Sequence, residues 1–354
     1  MKFDYKKVYI TGSNGWLGRQ LTKSFFIDDK DSIIFEKHQD LMINCFILKG
    51  EEDSFFSELS SDINTFKGDI SSQLSCKDFL QDATSEDILI HTAGLIHPKS
   101  TKDFFRINVQ GTLNIVHEAI EKKIKKIIVI SSNSPCGNNQ SNQQVFDEQS
   151  PYNPYMGYGK SKMAMEIKLN EKIAEGHDIT ILRPPWFYGE EMPERQLTFY
   201  NMIIAGRFPF VGNGTNIRSV ANVKNIVQGI ILASIMPQSK GQTYWIADEK
   251  NLTMNEIVQT IQDVFVNEFN IECKDNKLRL PYFVGQIAQA IDWALQSFGL
   301  YHQKFHVLSE MNKNIACDIS KAKADLGYSP KVNYYEGTTS AYKQYLNAKE
   351  QRDA

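Results

Sequence analysis

A glycine-rich turn near the start of the chain limits the folds available to it. The apolar run KVYIT at residues 7–11 is followed at once by Gly12, Gly15 and Gly18, where a helical pattern begins. The first glycine permits a tight turn, the second lets backbone approach a ligand closely, and the third lets helix and strand pack together. The free N–H groups at the start of that helix attract an anion such as a pyrophosphate. This order of strand, turn and helix predicts a dinucleotide-binding unit.

Short β-branched runs alternate with longer helical patterns through the first half of the chain. The runs at 88–92, 126–131 and 178–182 are apolar throughout, as are strands of a parallel sheet covered by helices on both faces. Helical spacing appears at 103–122 and 158–175. We predict an α/β fold, with a Rossmann-type doubly wound parallel sheet and a smaller C-terminal substrate-binding domain.

The length of 354 residues suits one large domain or two closely joined ones. We assign residues 1–184 to the dinucleotide-binding domain, with 220–250 returning to it, and 185–346 mainly to the substrate-binding domain. Residues 347–354 are a tail. Further helices are predicted at 196–205, 223–235 and 254–266.

A late apolar stretch, Tyr282 to Leu300, is broken by four polar residues. These are Gln286, Gln289, Asp292 and Gln296. We interpret the stretch as an amphipathic helix that packs its apolar face on the core. Contact with a membrane surface is the alternative, which we disfavour because the polar face lacks the Lys and Arg that anionic lipid attracts.

Composition excludes several classes of function. The 39 basic and 42 acidic residues give a net charge of −3, which offers no electrostatic reason to expect a nucleic acid partner. The five cysteines are far apart and form no CxxC pair, so we expect neither a disulfide framework nor a metal site. Because no signal peptide or apolar span is visible, we expect no integral membrane segment and a cytoplasmic location.

A YxxxK motif at Tyr158 and Lys162 lies at the start of a predicted helix, where the spacing puts both side chains on one face. A tyrosine pKa near 10 is too high for a base at neutral pH, but an adjacent ammonium and a positively charged nicotinamide ring favour phenolate. Ser132 follows a strand at the carboxyl edge of the sheet, where ligands bind in such folds. We predict Tyr158 as acid and base, with Ser132 orienting the substrate oxygen and Ser134 as the alternative serine.

These motifs together resemble the extended short-chain dehydrogenase/reductase family, which includes the NAD-dependent epimerases and dehydratases. The resemblance runs from about Lys6 to about Leu346. It implies a nicotinamide cofactor, NAD or NADP, and hydride transfer at a secondary carbinol carbon of a small-molecule substrate. The motifs that carry it, besides the glycine turn and YxxxK, are Gly68-Asp69-Ile70, His91 to Gly94, Asn108 with Gly111-Thr112, Ser131-Ser132, Leu182 to Pro184, Tyr188-Gly189, and the closing segments Asp318 to Ala322 and Leu326 to Pro330.

The resemblance also implies roles for individual residues. Asp69 and Ile70 would contact the adenine, Ala93 and Gly94 the pyrophosphate and ribose path, and Lys162 the nicotinamide ribose. Asn108 would serve helix geometry or a proton relay, which are equally compatible with the sequence. The full set of implied cofactor contacts is Gly12, Asn14, Gly15, Trp16, Leu17, Gly18, Lys49, Asp69, Ile70, Thr92, Ala93, Gly94, Tyr158, Lys162 and Pro185.

The choice between NAD and NADP depends on the end of the second strand, where two interpretations stay open. The run Ser32 to Glu36 ends in an acid near the spacing expected for ribose binding. A second run, Asn44 to Leu48, ends in Lys49, whose charge would favour a 2′-phosphate.

For the substrate, we predict a nucleotide sugar and a reaction similar to 4-epimerisation. Ser132 is followed by Asn133 and Ser134 rather than the Asp-Glu pair of sugar dehydratases, which disfavours dehydration. Arg218 lies in a segment similar to one in sugar epimerases whose arginine binds the diphosphate, and a guanidinium suits that task.

Two alternatives remain. Asn222 to Asn225 and the late apolar helix favour a 3β-hydroxysteroid or sterol-like dehydrogenase or ketone reductase. A non-catalytic NAD(P)-binding redox sensor is the other, which the presence of Tyr158, Lys162 and Ser132 disfavours. A homodimer through the helices at 103–122 and 158–175 is only what the resemblance implies.

Overall fold

The computed structural model describes residues 2–27, 35–141, 143–275 and 278–353. Its strands are β1 (Lys2–Phe3), β2 (Lys7–Thr11), β3 (Glu36–Lys37), β4 (Met42–Leu48), β5 (Ile63–Gly68), β6 (Ile88–His91), β7 (Lys126–Ile130), β8 (Ile179–Arg183), β9 (Trp186–Tyr188), β10 (Phe210–Val211), β11 (Ile217–Arg218), β12 (Val220–Asn222), β13 (Thr243–Trp245), β14 (Leu252–Thr253) and β15 (Arg279–Leu280). Its α-helices are α1 (Trp16–Ser24), α2 (Ser54–Leu59), α3 (Gln73–Phe79), α4 (Thr101–Phe105), α5 (Thr112–Glu121), α6 (Met156–Ala174), α7 (Glu194–Ile204), α8 (Val223–Ile235), α9 (Met254–Phe269), α10 (Tyr282–Ser297), α11 (Gln303–Glu310), α12 (Ser320–Leu326) and α13 (Tyr334–Asp353).

A seven-stranded sheet in the order β13-β8-β7-β6-β2-β4-β5 forms the centre of the molecule. Every neighbouring pair in it is parallel. The order of the strands reverses on either side of β2, so the carboxyl ends of β2 and β6 form the point where such folds bind their ligands. The prediction of a Rossmann-type doubly wound parallel sheet is confirmed.

Two apolar cores cover the two faces of this sheet. In the central strands, alternate residues enter opposite cores, as β7 illustrates with Ile128 on one face and Val129 on the other. Helices α1, α8 and α12 contribute to the first core, and α3, α5 and α6 to the second. Burial of each such branched side chain stabilises the fold by about 1.5–3 kcal/mol, which explains why the strands are apolar throughout.

The second strand of the central sheet along the chain is β4, which contains the run Asn44 to Leu48. It pairs with β2 from Met42 to Phe46, so Lys49 directly follows it. Glu36 instead lies in β3 and pairs with β1 beside Lys2, outside the central sheet. Residues 32–34 of the other candidate run lie outside the described residues.

The chain leaves the sheet after β8 to build a smaller layer and then returns. Its core is aromatic: Phe265 contacts Tyr200 at 5.7 Å and Tyr342 at 4.5 Å between ring centroids. Helices α7, α9 and α13 supply these rings. Strand β13 pairs with β8 and so joins the sheet edge after this excursion.

Helix α10 overturns one prediction, because its apolar face does not pack on the core. The buried positions are instead Gly285, Ala288, Asp292 and Gln296, one turn apart on the inward side. The two small residues permit close approach to the protein, and the two polar ones find hydrogen-bond partners there. The bulky apolar residues therefore point outward. None of the helices in the described part of the chain has the length and apolar character needed to span a membrane.

Candidate active site

The glycine turn presents bare backbone at the sheet edge. Gly12 has φ of 70°, and a Cβ there would lie 2.6 Å from the backbone of Ala93. Gly15 caps the N-terminus of α1 and donates its N–H to the Gly12 carbonyl at 3.0 Å. A Cβ on Gly18 would collide with Gly12 and Ser13. The turn thus leaves room and free N–H groups for a pyrophosphate, and these residues fit a nicotinamide dinucleotide.

Other side chains proposed as cofactor contacts hold the surrounding loops. The Thr92 hydroxyl donates to the Thr11 carbonyl at 2.7 Å, which joins the ends of β6 and β2. The Asp69 carboxylate accepts from the N–H and hydroxyl of Ser71, both at 2.8 Å. The Trp16 indole donates to the Glu190 carbonyl at 2.5 Å, and the Asn14 side-chain oxygen accepts from Arg19 at 3.3 Å. The remaining residues of the set differ in exposure: Leu17, Ile70 and Pro185 are buried, Ala93 is half-buried, and Lys49 and Gly94 are exposed.

Tyr158 lies in the first turn of α6 and Ser132 lies just beyond the end of β7. The Ser132 hydroxyl is close enough to the Tyr158 phenol to act on its pKa, and it accepts from the Ser134 N–H at 3.1 Å. The adjacent Ser131 points away and donates to Glu166 at 2.5 Å. The arrangement brings Ser132 rather than Ser131 to the tyrosine.

The pKa of Tyr158 is raised above its ordinary value. Burial is the main cause, the Ser132 hydrogen bond acts in the opposite direction, and the Glu310 carboxylate adds to the rise. The sequence-based expectation of a lowered pKa concerns the tyrosine beside a bound, positively charged nicotinamide ring, and it stays a prediction. In its phenol form, Tyr158 can donate a hydrogen bond to a substrate oxygen.

Lys162 lies one turn further along the same face of α6. Burial lowers the pKa of Lys162 to about 8, against the opposing effect of Glu166. Its ammonium donates to the Ile130 carbonyl at 3.0 Å, and a Cβ built on Gly94 would lie 3.5 Å from its Nζ. The ammonium therefore sits between the end of β7 and the backbone at Gly94, near the switch point of the sheet.

Asn108 occupies a π-helical turn, Arg106–Gly111, between α4 and α5. Its side-chain oxygen accepts from the Leu95 N–H at 2.7 Å. Its amide donates to the Leu95 carbonyl at 3.0 Å and to the Ser161 hydroxyl at 3.1 Å. Wide helical turns of this kind are frequent at functional sites. Asn108 thereby fixes the loop after β6 against the helix that carries Tyr158 and Lys162.

Sequence reasoning missed a buried ion pair behind the catalytic helix. Glu166 accepts from Arg183 through Nε at 3.0 Å and Nη2 at 2.6 Å, and from Tyr152 at 2.9 Å. Burial would lower the pKa of Arg183, but Glu166 raises it well above its usual range. The Leu182–Pro184 motif contains this arginine, but nothing in the spacing of the sequence pairs it with Glu166.

A polar cluster from the C-terminal helices was also missed. His306 lies 3.0 Å from Asp292, and the Tyr301 hydroxyl lies 2.8 Å from His97. Burial alone would lower the pKa of His306, but Asp292 and Glu310 raise it above its usual value. The cluster reaches Tyr158 through Phe104, whose ring is 5.4 Å from that of Tyr301 and 5.9 Å from that of Tyr158. Its one sequence signal is the polar spacing within Tyr282 to Leu300.

Arg218 lies in β11 with its guanidinium largely enclosed. Among the described residues, its Nε and Nη1 are buried without a hydrogen-bond partner. Burial lowers its pKa and the Glu310 carboxylate opposes this, so Glu310 acts on both Arg218 and Tyr158. The Trp186 ring lies 6.0 Å from the guanidinium carbon. A buried cation with unused donors is suited to an anionic group of a substrate.

Asn222 and Asn225, from the segment similar to sterol enzymes, serve the fold. Asn222 caps α8 by accepting from the Lys224 N–H at 2.9 Å. The Asn225 amide donates to Asp248 at 2.6 Å and to the Val332 carbonyl at 2.8 Å. These contacts give the segment a structural reason that is independent of the substrate.

We expect Gly12→Ala to weaken NAD binding at least about tenfold, because the new methyl group meets the Ala93 backbone at a strained φ. Isothermal titration calorimetry measures this. Gly176→Ala is the matched control, since Gly176 has φ of 98° and nothing within 4 Å of a Cβ. Equal NAD affinities of the two variants would contradict the assignment of the turn.

Comparisons with known proteins identify the family and the fold. The model of the NAD-dependent epimerase/dehydratase family matches residues 8–247. The uncharacterized protein y4nL of Sinorhizobium fredii is 42% identical over 332 residues, 93% of this chain and 92% of that protein. N-acetyl-α-D-glucosaminyl-diphospho-ditrans,octacis-undecaprenol 4-epimerase of Escherichia coli O157:H7 is 32% identical over 190 residues, 53% of this chain and 55% of that protein. The structure of UDP-glucose 4-epimerase of Thermotoga maritima with UDP-glucose aligns with a TM-score of 0.73 and 16% identity over 97% of this chain and 99% of that one, which shows a common fold.

Proposed function

The chain belongs to the NAD-dependent epimerase/dehydratase family, and we propose that this enzyme inverts the C4 carbinol of a sugar linked to a diphosphate. One observation carries the proposal: among the described residues, two buried N–H groups of Arg218 have no hydrogen-bond partner. The Glu310 carboxylate acts on the pKa values of both Arg218 and Tyr158, which is consistent with one shared site. An acid/base hydroxyl suits the sugar oxygen of such a substrate, and a buried cation with unused N–H donors suits its diphosphate.

Tyr158 and Ser132 would act on the sugar oxygen. In its phenolate form, which the charges of Lys162 and of a bound oxidised nicotinamide would favour, Tyr158 Oη would take the carbinol proton and become a phenol as hydride leaves the carbon. It would give that proton back to the oxygen when hydride returns to the other face of the carbon. Ser132 Oγ hydrogen-bonds the same oxygen and holds it against the phenol. Lys162 holds the nicotinamide ribose and stabilises the phenolate as it forms. Bound NAD supplies the hydride acceptor and donor.

Arg218 would bind the diphosphate. Its unused N–H donors match phosphate oxygens in a two-point contact, and the Trp186 ring supports the guanidinium plane. Two similar proteins named above act on sugars attached to a diphosphate, which supports the same substrate class here. The absence of an Asp-Glu pair after Ser132 favours epimerisation over dehydration.

The test is turnover of diphosphate sugars by the NAD-loaded protein. We expect proton NMR to detect the C4 epimer of a UDP-hexose, or of an N-acetylglucosaminyl diphosphate bearing a short polyprenyl chain. Arg218→Met is expected to raise KM at least about tenfold, as loss of a charged hydrogen bond does. Arg207→Met, at an exposed arginine, is the control and leaves KM unchanged.

Three results would overturn the proposal. Oxidation of sterol alcohols without sugar turnover would assign the enzyme to the dehydrogenase alternative. Tight NAD binding with no turnover of any sugar or sterol would support the redox-sensor alternative. Equal KM values for the Arg218→Met and Arg207→Met enzymes would remove Arg218 from the diphosphate site.

A further inference from the structure

The outward face of α10, with the turn that follows it, is an extended apolar surface. Phe298 is 86% exposed, Trp293 59% and Phe283 56%. Contiguous apolar surface of this kind on a folded protein marks a site of interaction. We call it the α10 face. Its other large members are Tyr282, Ile287, Ile291 and Leu300.

The exposure of the α10 face is built into the packing of the helix. The Gln296 side chain accepts from the Gly157 N–H and donates to Asp292, both at 2.9 Å. The same Asp292 oxygen lies 3.0 Å from His306. Rotating α10 to bury its apolar side would break these bonds and move polar groups into water. The hydrogen bonds of the inward polar side therefore also keep the apolar side of α10 directed outward.

The exposed charged side chains next to the α10 face along the chain are basic. Over residues 278–309, all of which the structure describes, the exposed charged side chains are Arg279 and Lys304, while Asp292 is buried. Lys99 and Lys102 are also exposed beside the turn. Their segment is held there by a β-bridge between Ser100 and Leu300.

This basic rim decides between the two main occupants of such a surface. Two copies of the chain meeting through the α10 face would bring like charges together, which opposes association. A surface of anionic headgroups over an apolar layer complements both the cations and the apolar side chains. Aromatic residues such as Trp293 and Tyr282 are also favoured at the boundary between headgroups and acyl chains.

We propose that the α10 face docks on the surface of a phospholipid bilayer that contains anionic lipid. Helix α10 lies along the bilayer with its apolar side in the headgroup region, and the four basic residues contact the lipid phosphates. This docking goes beyond the proposed function and does not depend on it.

The α10 face is directly connected to the active site. Gln296 on its inner side bonds Gly157, the residue before Tyr158, and Tyr301 in the following turn contacts Phe104 beside that tyrosine. A docked enzyme would hold its sugar site close to the bilayer. As a consequence that rests on the proposed function, the favoured substrate is a diphosphate sugar carried on a lipid.

Vesicle sedimentation tests the docking. We expect the purified protein to sediment with vesicles of phosphatidylcholine and phosphatidylglycerol and much less with phosphatidylcholine alone, and about 1 M salt to weaken the binding. The double variant Trp293→Glu/Phe298→Glu should lose at least about tenfold in its partition to the vesicles. Two rings that would be buried in the bilayer on docking are replaced by anions. Leu74→Glu, at a 67% exposed leucine on α3, is the matched control and should bind like the wild type.

Each outcome bears on the proposal separately from the activity. Unchanged thermal unfolding and unchanged turnover of a water-soluble UDP-hexose by the double variant would show that its fold and site are intact. Failure of the wild type to bind anionic vesicles overturns the docking even when turnover is normal. Sedimentation velocity that shows a dimer dissociated by the double variant, with no vesicle binding, assigns the α10 face to a second copy and also overturns it.

Discussion

The Tyr158→Phe enzyme should lose about 10²–10⁴-fold in kcat, the range that a positioned acid/base group contributes. The change removes one oxygen from a half-buried ring and leaves its contact with Phe104 in place. The proton then has no acceptor within reach, since Ser132 is a far weaker base. The NAD affinity should stay within about twofold, because the remaining cradle is backbone and Lys162. Single-turnover kinetics and calorimetry with NAD measure the two effects.

Tyr155→Phe provides the matched control for this result. Tyr155 lies three residues earlier, and its hydroxyl donates to the Gln289 carbonyl at 3.2 Å rather than to Ser132. We expect its kcat to stay within a few-fold of the wild type. A Tyr158→Phe enzyme as active as the Tyr155→Phe enzyme would show that another group moves the proton.

Glu166→Gln should reduce the free energy of unfolding by about 3–5 kcal/mol, as removal of one partner from a buried ion pair does. The exposed fraction is 4% for the Arg183 side chain and zero for Glu166. A neutral amide would leave the guanidinium without a counter-charge. Its NH₂ group would face a donor of Arg183 together with the hydroxyl of either Ser131 or Tyr152. Urea unfolding at neutral pH measures the loss.

Glu171→Gln is the control for the ion pair, on the same helix. Glu171 pairs with Lys168 at 2.8 Å, and both side chains are 52% exposed. Exposed pairs at this spacing contribute about 0.3–0.5 kcal/mol, so this variant should unfold almost like the wild type. If the two variants unfold alike, Glu166 does not anchor α6 through Arg183.

The sequence predicted best those elements whose signals are local. The glycine turn combines strand, glycines and helix within twelve residues, and the helix predicted at 223–235 is α8 with the same bounds. An Asn222 side chain that caps the first turn and a continuous apolar pattern explain this accuracy. Strands β2, β6, β7 and β8 followed for the same reason, because each is a short run of mainly apolar residues.

Long-range pairings and the orientation of α10 were beyond sequence reasoning. Periodicity shows that the helix has an apolar and a polar side, but not which side meets the protein. Here Gly285 and Ala288 give the polar side its close fit, and Gly157 and His306 give it partners from distant segments. The unpartnered atoms of Arg218 are likewise visible only in three dimensions, although its residue type and segment had already suggested its role.

The π-helical turn at Arg106–Gly111 separates α4 from α5 within one continuous helical stretch. Because this turn is wider than an α-helical turn, the side chains of α5 point in directions that do not continue the pattern of α4. Upstream of it, Phe104 faces the ring of Tyr158, whereas downstream Ile115 and Val116 face the central sheet. An uninterrupted α-helix has a single phase and would have to compromise one of these fits. The substrate side can therefore accumulate sequence changes in α4 without disturbing the alignment of α5 on the sheet.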